Sequence, residues 1–245
     1  MTNAQPRIER ATIKLWVPHN DKEIAFIYPA VGPNTYLNVG KVILGKGMNV
    51  PTGDETASLL YSAYCSELTN ESEFQDVKNI MEKNWLWVYN QDLWTDKGVF
   101  VVKDLKSLGI SPFLNVNELE KKILKENNAR EIKGIKFSED GLVRFAPKGS
   151  YTLRKVSSED FVKNGFIIAS CGEKGAEKLG EVSTKFKNKP YIYGLNIEEG
   201  KSHEQRISAV SESGDGFNFS GYGCGGDYRC RALGYAQTNY SLIQQ

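Results

Sequence analysis

Histidine is nearly missing: the 245 residues hold two, His19 and His203. A Ser-His-Asp hydrolase or a histidine-ligated zinc site has very little raw material in such a chain. Cysteine is sparse too. Cys65, Cys171, Cys224 and Cys230 are too few for a disulfide scaffold at this length. No apolar run approaches the ~20 residues that a membrane-crossing helix needs, so no membrane span is expected. The first residues, MTNAQPRIERATIKLWV, lack the apolar stretch of a signal peptide. The expectation is a cytoplasmic protein, and display on a cell or virion surface is compatible with it. An excess of one charge is also missing: 31 basic and 30 acidic side chains give a formal net charge of +1. That balance supplies no global field for nucleic acid or for an anionic membrane.

The most informative absence is local. From Ser213 to Ala236 there is no Lys, Glu, Gln, Met or Trp. The same stretch is dense in Gly, Tyr, Phe, Asp, Asn, Ser, Cys and Arg. Glycine frees the backbone for turns. Tyr and Arg bring large contact area with a polar tip, and Ser, Gly and Asn bring adaptable hydrogen bonding. Antibody-type paratopes use that mixture. The stretch therefore reads as a ligand-binding surface supported by the rest of the chain. A plain glycine-rich loop, or a pair of small-residue strands, is the competing reading.

What is present is enough for a full core, with 40% hydrophobic residues. Arg10 to Val17 and Glu23 to Tyr28 read as strands joined by a turn at Asn20 and Asp21. Asn34 is placed to cap a helix with Tyr36, Val39, Val42 and Ile43 on one face. Thr52 or Asp54 is placed to cap the next, whose apolar face carries Leu59, Leu60, Ala63 and Tyr64. A helix over Glu73 to Lys83 follows. Trp85 to Tyr89 is an aromatic strand, with Trp94 just beyond it, and Gly98 to Lys103 is another strand. Core packing is the expected role of these tryptophans.

Asn117 to Asn127 reads as a surface helix with Leu119, Ile123 and Leu124 inward. Gly134 to Phe137 and Leu142 to Phe145 flank the turn SEDG as a hairpin. Ser157 to Lys163 is a short capped helix. Gly165 to Ser170 reads as a buried strand, and Glu173 to Phe186 as a helix interrupted by Gly175 and Gly180. Strands are expected over Tyr191 to Ile197 and Arg206 to Val210. Three short strands then follow, at Gly216 to Ser220, Asp227 to Cys230 and Ala232 to Ala236. The class is α+β, without a βαβ repeat. The Lys/Glu-rich segment Lys103 to Arg130 is the best place for an insertion or boundary.

The segment Asn49 to Tyr64, NVPTGDETASLLYSAY, resembles the L-P-T-plus-acidic helix of the formylglycine-generating-enzyme branch of the C-type lectin fold. A tryptophan-rich strand follows in that family, and Trp85, Trp87 and Trp94 occupy the comparable middle region here. Arg206 to Val210 resembles the strand that opens its C-terminal β-region, and Leu233, Gly234 and Tyr235 stand at the closing strand. The family's G-G-S-W and its closing arginine are absent. The C-terminal stretch resembles the variable region of a diversity-generating-retroelement target protein. There, miscopied adenines turn Asn AAY codons into NNY codons. NNY cannot encode Lys, Glu, Gln, Met or Trp and readily gives the residue types found here. The segments IYPAVGPNTY, NVPTGDETASLL, NWLWVYNQDLW and VRFAPKGSY are also similar to archaeal sequences that end in such a region.

The resemblance implies one C-type lectin-like domain over residues 1–245, with an insertion around 103–165 and short irregular C-terminal strands. It implies a hypervariable ligand-binding region at about 206–236. Its ligand-contacting set is Phe217, Asn218, Ser220, Tyr222, Cys224, Asp227, Tyr228, Arg229 and Cys230. The expected partner is a protein or other macromolecular ligand, with no catalysis, no cofactor, no metal and no nucleic acid. The enzyme alternative is a formylglycine-generating-enzyme-like copper oxidoreductase that uses Cys224 and Cys230. Cys171, ahead of a helix start in IIASCGEKG, is a further nucleophile candidate, because a thiolate there would gain from the helix terminus. KGAEKLG lacks the Lys-Ser/Thr of a phosphate loop. Arg229 and Arg231 near Tyr228 form only a thin basic patch.

Overall fold

A computed structural model describes residues 12–125, 130–214 and 216–236. The start of the first expected strand and the end of the expected surface helix lie outside these residues, as does the Leu124 side chain. The chain is a mixed α+β structure built on two sheets. A hairpin of β1 (Ile13–His19) and β2 (Lys22–Tyr28) opens it. Its tight turn places Asn20 and Asp21 at positive φ, which Asn and Asp tolerate better than most residues.

Helix α1 (Tyr36–Gly45) follows, capped by the Thr35 side chain on the Asn38 N–H. The cap is one residue later than expected, and Asn34 Oδ1 binds the Thr35 N–H instead. Tyr36, Val39 and Ile43 face inward as the pattern requires, while Val42 is exposed. Helix α2 (Gly53–Cys65) starts in a capping box in which Thr52 and Glu55 satisfy each other's backbone donors. Helix α3 (Ser72–Lys83) buries Phe74, Val77 and Met81.

The large sheet runs through β3 (Trp85–Thr95) and β4 (Gly98–Lys103). The segment expected as an insertion begins with α4 (Val116–Glu120), continued by a π-helical turn over Lys121–Lys125. It then supplies β5 (Arg130–Ile132), β6 (Ile135–Phe137) and β7 (Val143–Pro147), and β7 pairs with β4. These strands therefore extend the main sheet. The hairpin of β6 and β7 turns at SEDG, where Asp140 Oδ1 binds the Leu142 N–H at 3.0 Å.

Helix α5 (Ser158–Lys163) is capped by Ser157. Helix α6 (Gly165–Ser183) corrects one reading: GFIIAS is the first part of a helix, not a strand. A short apolar run has no periodicity to distinguish the two when every side of it is buried, and residues Gly165 to Cys171 are all buried. The helix breaks at Gly172, with φ 68° and ψ 170°. A Cβ there would also lie 3.1 Å from Asp54 Oδ1, a tight contact that adds to the preference for glycine set by φ.

The last strands are β8 (Asn188–Tyr193), β9 (Glu204–Ser213) and β10 (Gly216–Gly223). Then come the two-residue β11 (Cys230–Arg231) and β12 (Tyr235–Ala236). The large sheet has the order β5-β6-β7-β4-β3-β9-β10-β8, with β11 joined to the outer part of β3. The small sheet is β1-β2-β12, so the C-terminal segment closes onto the opening hairpin. Among the described residues, no helix is long and apolar enough to cross a membrane.

Trp94 is fully buried at the centre of the core, with Phe166 at 4.9 Å and Tyr151 at 5.7 Å between ring centroids. Asp92, two residues earlier on β3, is buried and accepts a bond from Ser208 Oγ at 2.7 Å. Burial pushes its carboxyl far up, and the Ser208 bond offsets this only in part.

Candidate functional site

The C-terminal stretch divides into an inner and an outer half. Strand β10 lies between β9 and β8, so both its edges are paired, and its residues from Gly216 to Gly221 are buried. Phe217 packs against Phe161 and Phe186, at 5.7 and 5.8 Å. Phe219 packs edge-on to Phe166 at 5.7 Å. Phe217 and Asn218, expected to meet ligand, are buried at 0% and 4% exposure. They are core residues and leave the contact set. An alternating in-and-out pattern cannot be assumed for a strand that has neighbours on both sides and helices against its face.

Beyond Gly221 the chain emerges. Tyr222 is 54% exposed and Tyr228 70%. Cys224 and Arg229 are exposed, and Asp227 is half-buried. The loop is anchored by backbone bonds at both ends. The Tyr36 N–H donates to the Gly225 carbonyl at 3.1 Å, and the Asn34 N–H to the Cys230 carbonyl at 2.9 Å. Further on, the Val31 N–H donates to the Ala232 carbonyl and the Arg231 side chain donates to the Gly32 carbonyl. None of these contacts uses the side chain of an exposed loop residue.

Beneath the loop is a cavity of about 520 Å³. Its floor follows from sheet register. Trp85 and Trp87 project from one face of β3, two residues apart. Trp87 stands opposite Ala209 on β9, and Ala209 opposite Ser220 on β10. Trp85 stands opposite Cys230 on β11. Small side chains beside two indoles leave the hollow, and Trp85, Trp87, Ala209, Ser220 and Cys230 all line it. The rim carries Arg206, Tyr222, Cys224 and Asp227.

The floor is rigidly backed. Trp87 donates Nε1–H to the Asn34 carbonyl at 3.2 Å and packs edge-on to Tyr36 at 5.5 Å. Tyr36 in turn donates its hydroxyl to Asp104 at 3.0 Å. The rim is polar and locally paired. Arg206 pairs with Glu204 and lies over the Tyr222 ring at 5.5 Å, a cation–π distance. Asp227 accepts from the Arg229 backbone N–H at 2.8 Å and from its guanidinium. Those bonds from Arg229 hold the Asp227 carboxyl below its usual range. With Arg229 tied to Asp227 and Arg231 to Gly32, neither arginine of the thin basic patch stands free.

Of the nine expected contact residues, Tyr222, Cys224, Asp227, Tyr228 and Arg229 face outward or line the rim. Ser220 and Cys230 are buried and reach the cavity only as part of its floor. Trp85, Trp87, Arg206 and Ala209 were missed. The signal for the tryptophans was their spacing of two on a strand, which puts both rings on one face.

Cys224 and Cys230 border the same cavity. Burial, and then the Asp227 charge, pushes the Cys230 thiol well up, which disfavours the thiolate a soft metal takes. Among the described residues no three His, Cys, Asp or Glu groups converge as a metal site. Any copper would therefore rest on Cys224 and Cys230 alone. Cys171 is also buried, and burial followed by the Asp54 charge raises its thiol far above the usual range. The expected activation by the helix terminus is outweighed by desolvation, so Cys171 is a poor nucleophile.

No family model, curated protein or solved structure matches this chain.

Proposed function

We propose that this is a ligand-binding protein whose contact surface is the loop from Tyr222 to Arg229 together with the cavity beneath it. The surface belongs to a C-type lectin-like domain of the variable, retroelement-diversified kind. One observation carries the reading: the loop is joined to the frame through backbone atoms while Tyr222, Cys224, Tyr228 and Arg229 are exposed. Such a loop tolerates replacement of its side chains without loss of the frame. Tyr222 and Tyr228 are the anchors, because exposed aromatic side chains dominate contact energy once they are buried by a partner. The apolar floor of Trp85 and Trp87 accepts a side chain or ring from the partner, and the partner is a protein or another macromolecule.

The test is a library with Tyr222, Cys224, Asp227, Tyr228 and Arg229 randomised together. Most members should keep the parental melting temperature, and loss of folding in most of them overturns the proposal. Sequencing the neighbouring DNA gives a second test. Diversification requires a near-copy of these codons, differing at adenines, beside a reverse-transcriptase gene. The copper-oxidase alternative requires tight Cu(I) binding that disappears in the Cys224→Ser, Cys230→Ser double variant.

A further inference from the structure

A second cavity, of about 430 Å³, opens where the β1–β2 turn meets α2 and the second half of α6. It shares no lining residue with the C-terminal cavity. We infer that this cavity binds a phosphate group, through Lys174, Lys178 and Arg130 in front of the Arg144 guanidinium.

The argument starts with charge. Asp54 is bound by Arg144, at 3.0 and 2.6 Å, and also by Lys103. All three side chains are nearly buried, with 11%, 8% and 17% exposure respectively. Two cations share the Asp54 carboxylate and buried Glu55 also acts on Arg144, so the positive charge the cavity offers in excess comes from Lys174 and Lys178. Arg144 lines the cavity as a fixed positive charge, its terminal nitrogens donating to Asp54 and to the Ala169 carbonyl.

Lys178 is half-buried and donates to the Pro18 carbonyl at 3.0 Å and to Ser58 Oγ at 2.8 Å. Both acceptors are neutral. Among the described residues no carboxylate forms an ion pair with it. Burial, and then the charge of Lys174, lowers its pKa. Lys174 and Lys178 are four residues apart on one helical face, where like charges repel. Among the described residues Lys174 pairs only with Asp21, at 3.5 Å, and Asp21 is 91% exposed. A dianion seated between the lysines reverses this repulsion.

The backbone points the same way. Gly172, Glu173, Lys174 and Gly175 line the cavity, and the helix restarts after the break at Gly172. The restart turns the positive end of a helical segment toward the cavity. Asp54 already lies against Gly172, but its charge is matched by Arg144 and Lys103. Glu173, the other acid of the lining, is paired with Lys133 at 3.0 Å. Ile132 and Phe137 give an apolar wall that suits the carbon part of a phosphate ester. The lysines act here from a helix face, which is why no phosphate-loop motif marks them.

His19 is the reporter. It lines the cavity, and its Nδ1 is 2.9 Å from Ser58 Oγ. The other histidine, His203, packs on Phe113 at 5.5 Å and serves as internal control. The experiment titrates the whole protein with inorganic phosphate, and separately with glycerol 3-phosphate, at constant ionic strength, and follows both ring signals by NMR. The expected result is a saturable millimolar shift of His19 alone, with the tighter of the two probes identifying free phosphate or its ester as the occupant. Lys174→Gln and Lys178→Gln should each weaken binding about tenfold, the loss of one charge-assisted contact. Lys163→Gln, which removes an exposed pair with Glu159, should leave it unchanged. A His19 shift that fails to saturate, or one that survives Lys174→Gln unaltered, overturns the inference. Lys174 is exposed, so that variant remains folded even if Lys178→Gln does not.

Discussion

Trp94 donates its indole N–H to the Gly221 carbonyl at 2.8 Å, joining the end of β3 to the residue where the C-terminal loop leaves the sheet. Everything before Gly221 on β10 is sealed, and Tyr222 directly after it is open. This bond marks the boundary between frame and surface. Trp94→Phe should cost about 1–3 kcal/mol, because the buried carbonyl loses the indole donor. Gly221→Ala should cost a similar ~1–3 kcal/mol by overpacking, since a Cβ would collide with the Phe166 and Trp94 rings. Urea unfolding of both variants checks this, and neither should alter the exposed loop.

The inner and outer halves of the C-terminal stretch should separate sharply in stability. Phe217→Ala removes a ring held between Phe161 and Phe186 and should cost about 3–5 kcal/mol. Tyr228→Ala should stay within about 0.5 kcal/mol of the parent, as surface substitutions do. Equal losses for the two would place Tyr228 in the core and remove the basis for a contact surface.

Two buried aspartates should respond to pH in opposite directions. For Asp54, burial alone would raise the carboxyl, but Arg144 and then Lys103 hold it below the ordinary 3.8. A depressed folded value contributes stability that is fully present above the unfolded value and lost as pH falls through the folded one. Asp54→Ala should therefore cost about 3–5 kcal/mol at neutral pH, leaving two cations without their carboxylate. The deficit should shrink as pH drops below 3.8.

For Asp92 the folded value lies well above 3.8 because of burial. Its contribution is fully present below the unfolded value and declines as pH rises toward the folded one. Asp92→Asn should match the parent at acid pH and become relatively more stable as pH rises, by up to about 1.4 kcal/mol per pH unit. Chemical denaturation across a pH series measures both effects. A neutral-pH loss in Asp92→Asn comparable to that in Asp54→Ala would contradict the assignment.

The four thiols should label in order of access. Cys224 is exposed and Cys65 partly so, while Cys171 and Cys230 are buried. Burial raises the Cys171 and Cys230 thiols as well, so thiolate is scarce at both. In the native protein a maleimide should modify Cys224 first, and mass mapping should find Cys171 and Cys230 only after denaturation. Fast labelling of Cys230 would show that the cavity floor opens.

Local chemistry was legible in the sequence wherever a residue type does one thing. Asn20-Asp21 turned a hairpin, Thr52 and Glu55 made a capping box, and SEDG joined β6 to β7. GFIIAS failed because its environment, not its pattern, decides its form: every side of it is covered. Phe217 and Asn218 were misplaced for a related reason. Composition marks the whole stretch as surface-like, but the rings that cover β10, from Phe161, Phe166 and Phe186, come from earlier segments. The cavity inferred to bind phosphate was illegible for the same reason. His19, Asp54, Arg144 and Lys178 are contributed by four separate elements, and none of them carries a recognisable spacing.

Phe26 on β2 pairs with Tyr235 on β12, and the Ile27 N–H donates to the Gly234 carbonyl at 2.8 Å. During synthesis, the edge of β2 must wait for nearly the entire chain before its partner arrives. Until then the opening hairpin presents unpaired backbone that another strand can occupy. Ribosome stalling ahead of residue 230 would leave this edge open, making the nascent chain vulnerable to aggregation even though its helices and central strands have already been made.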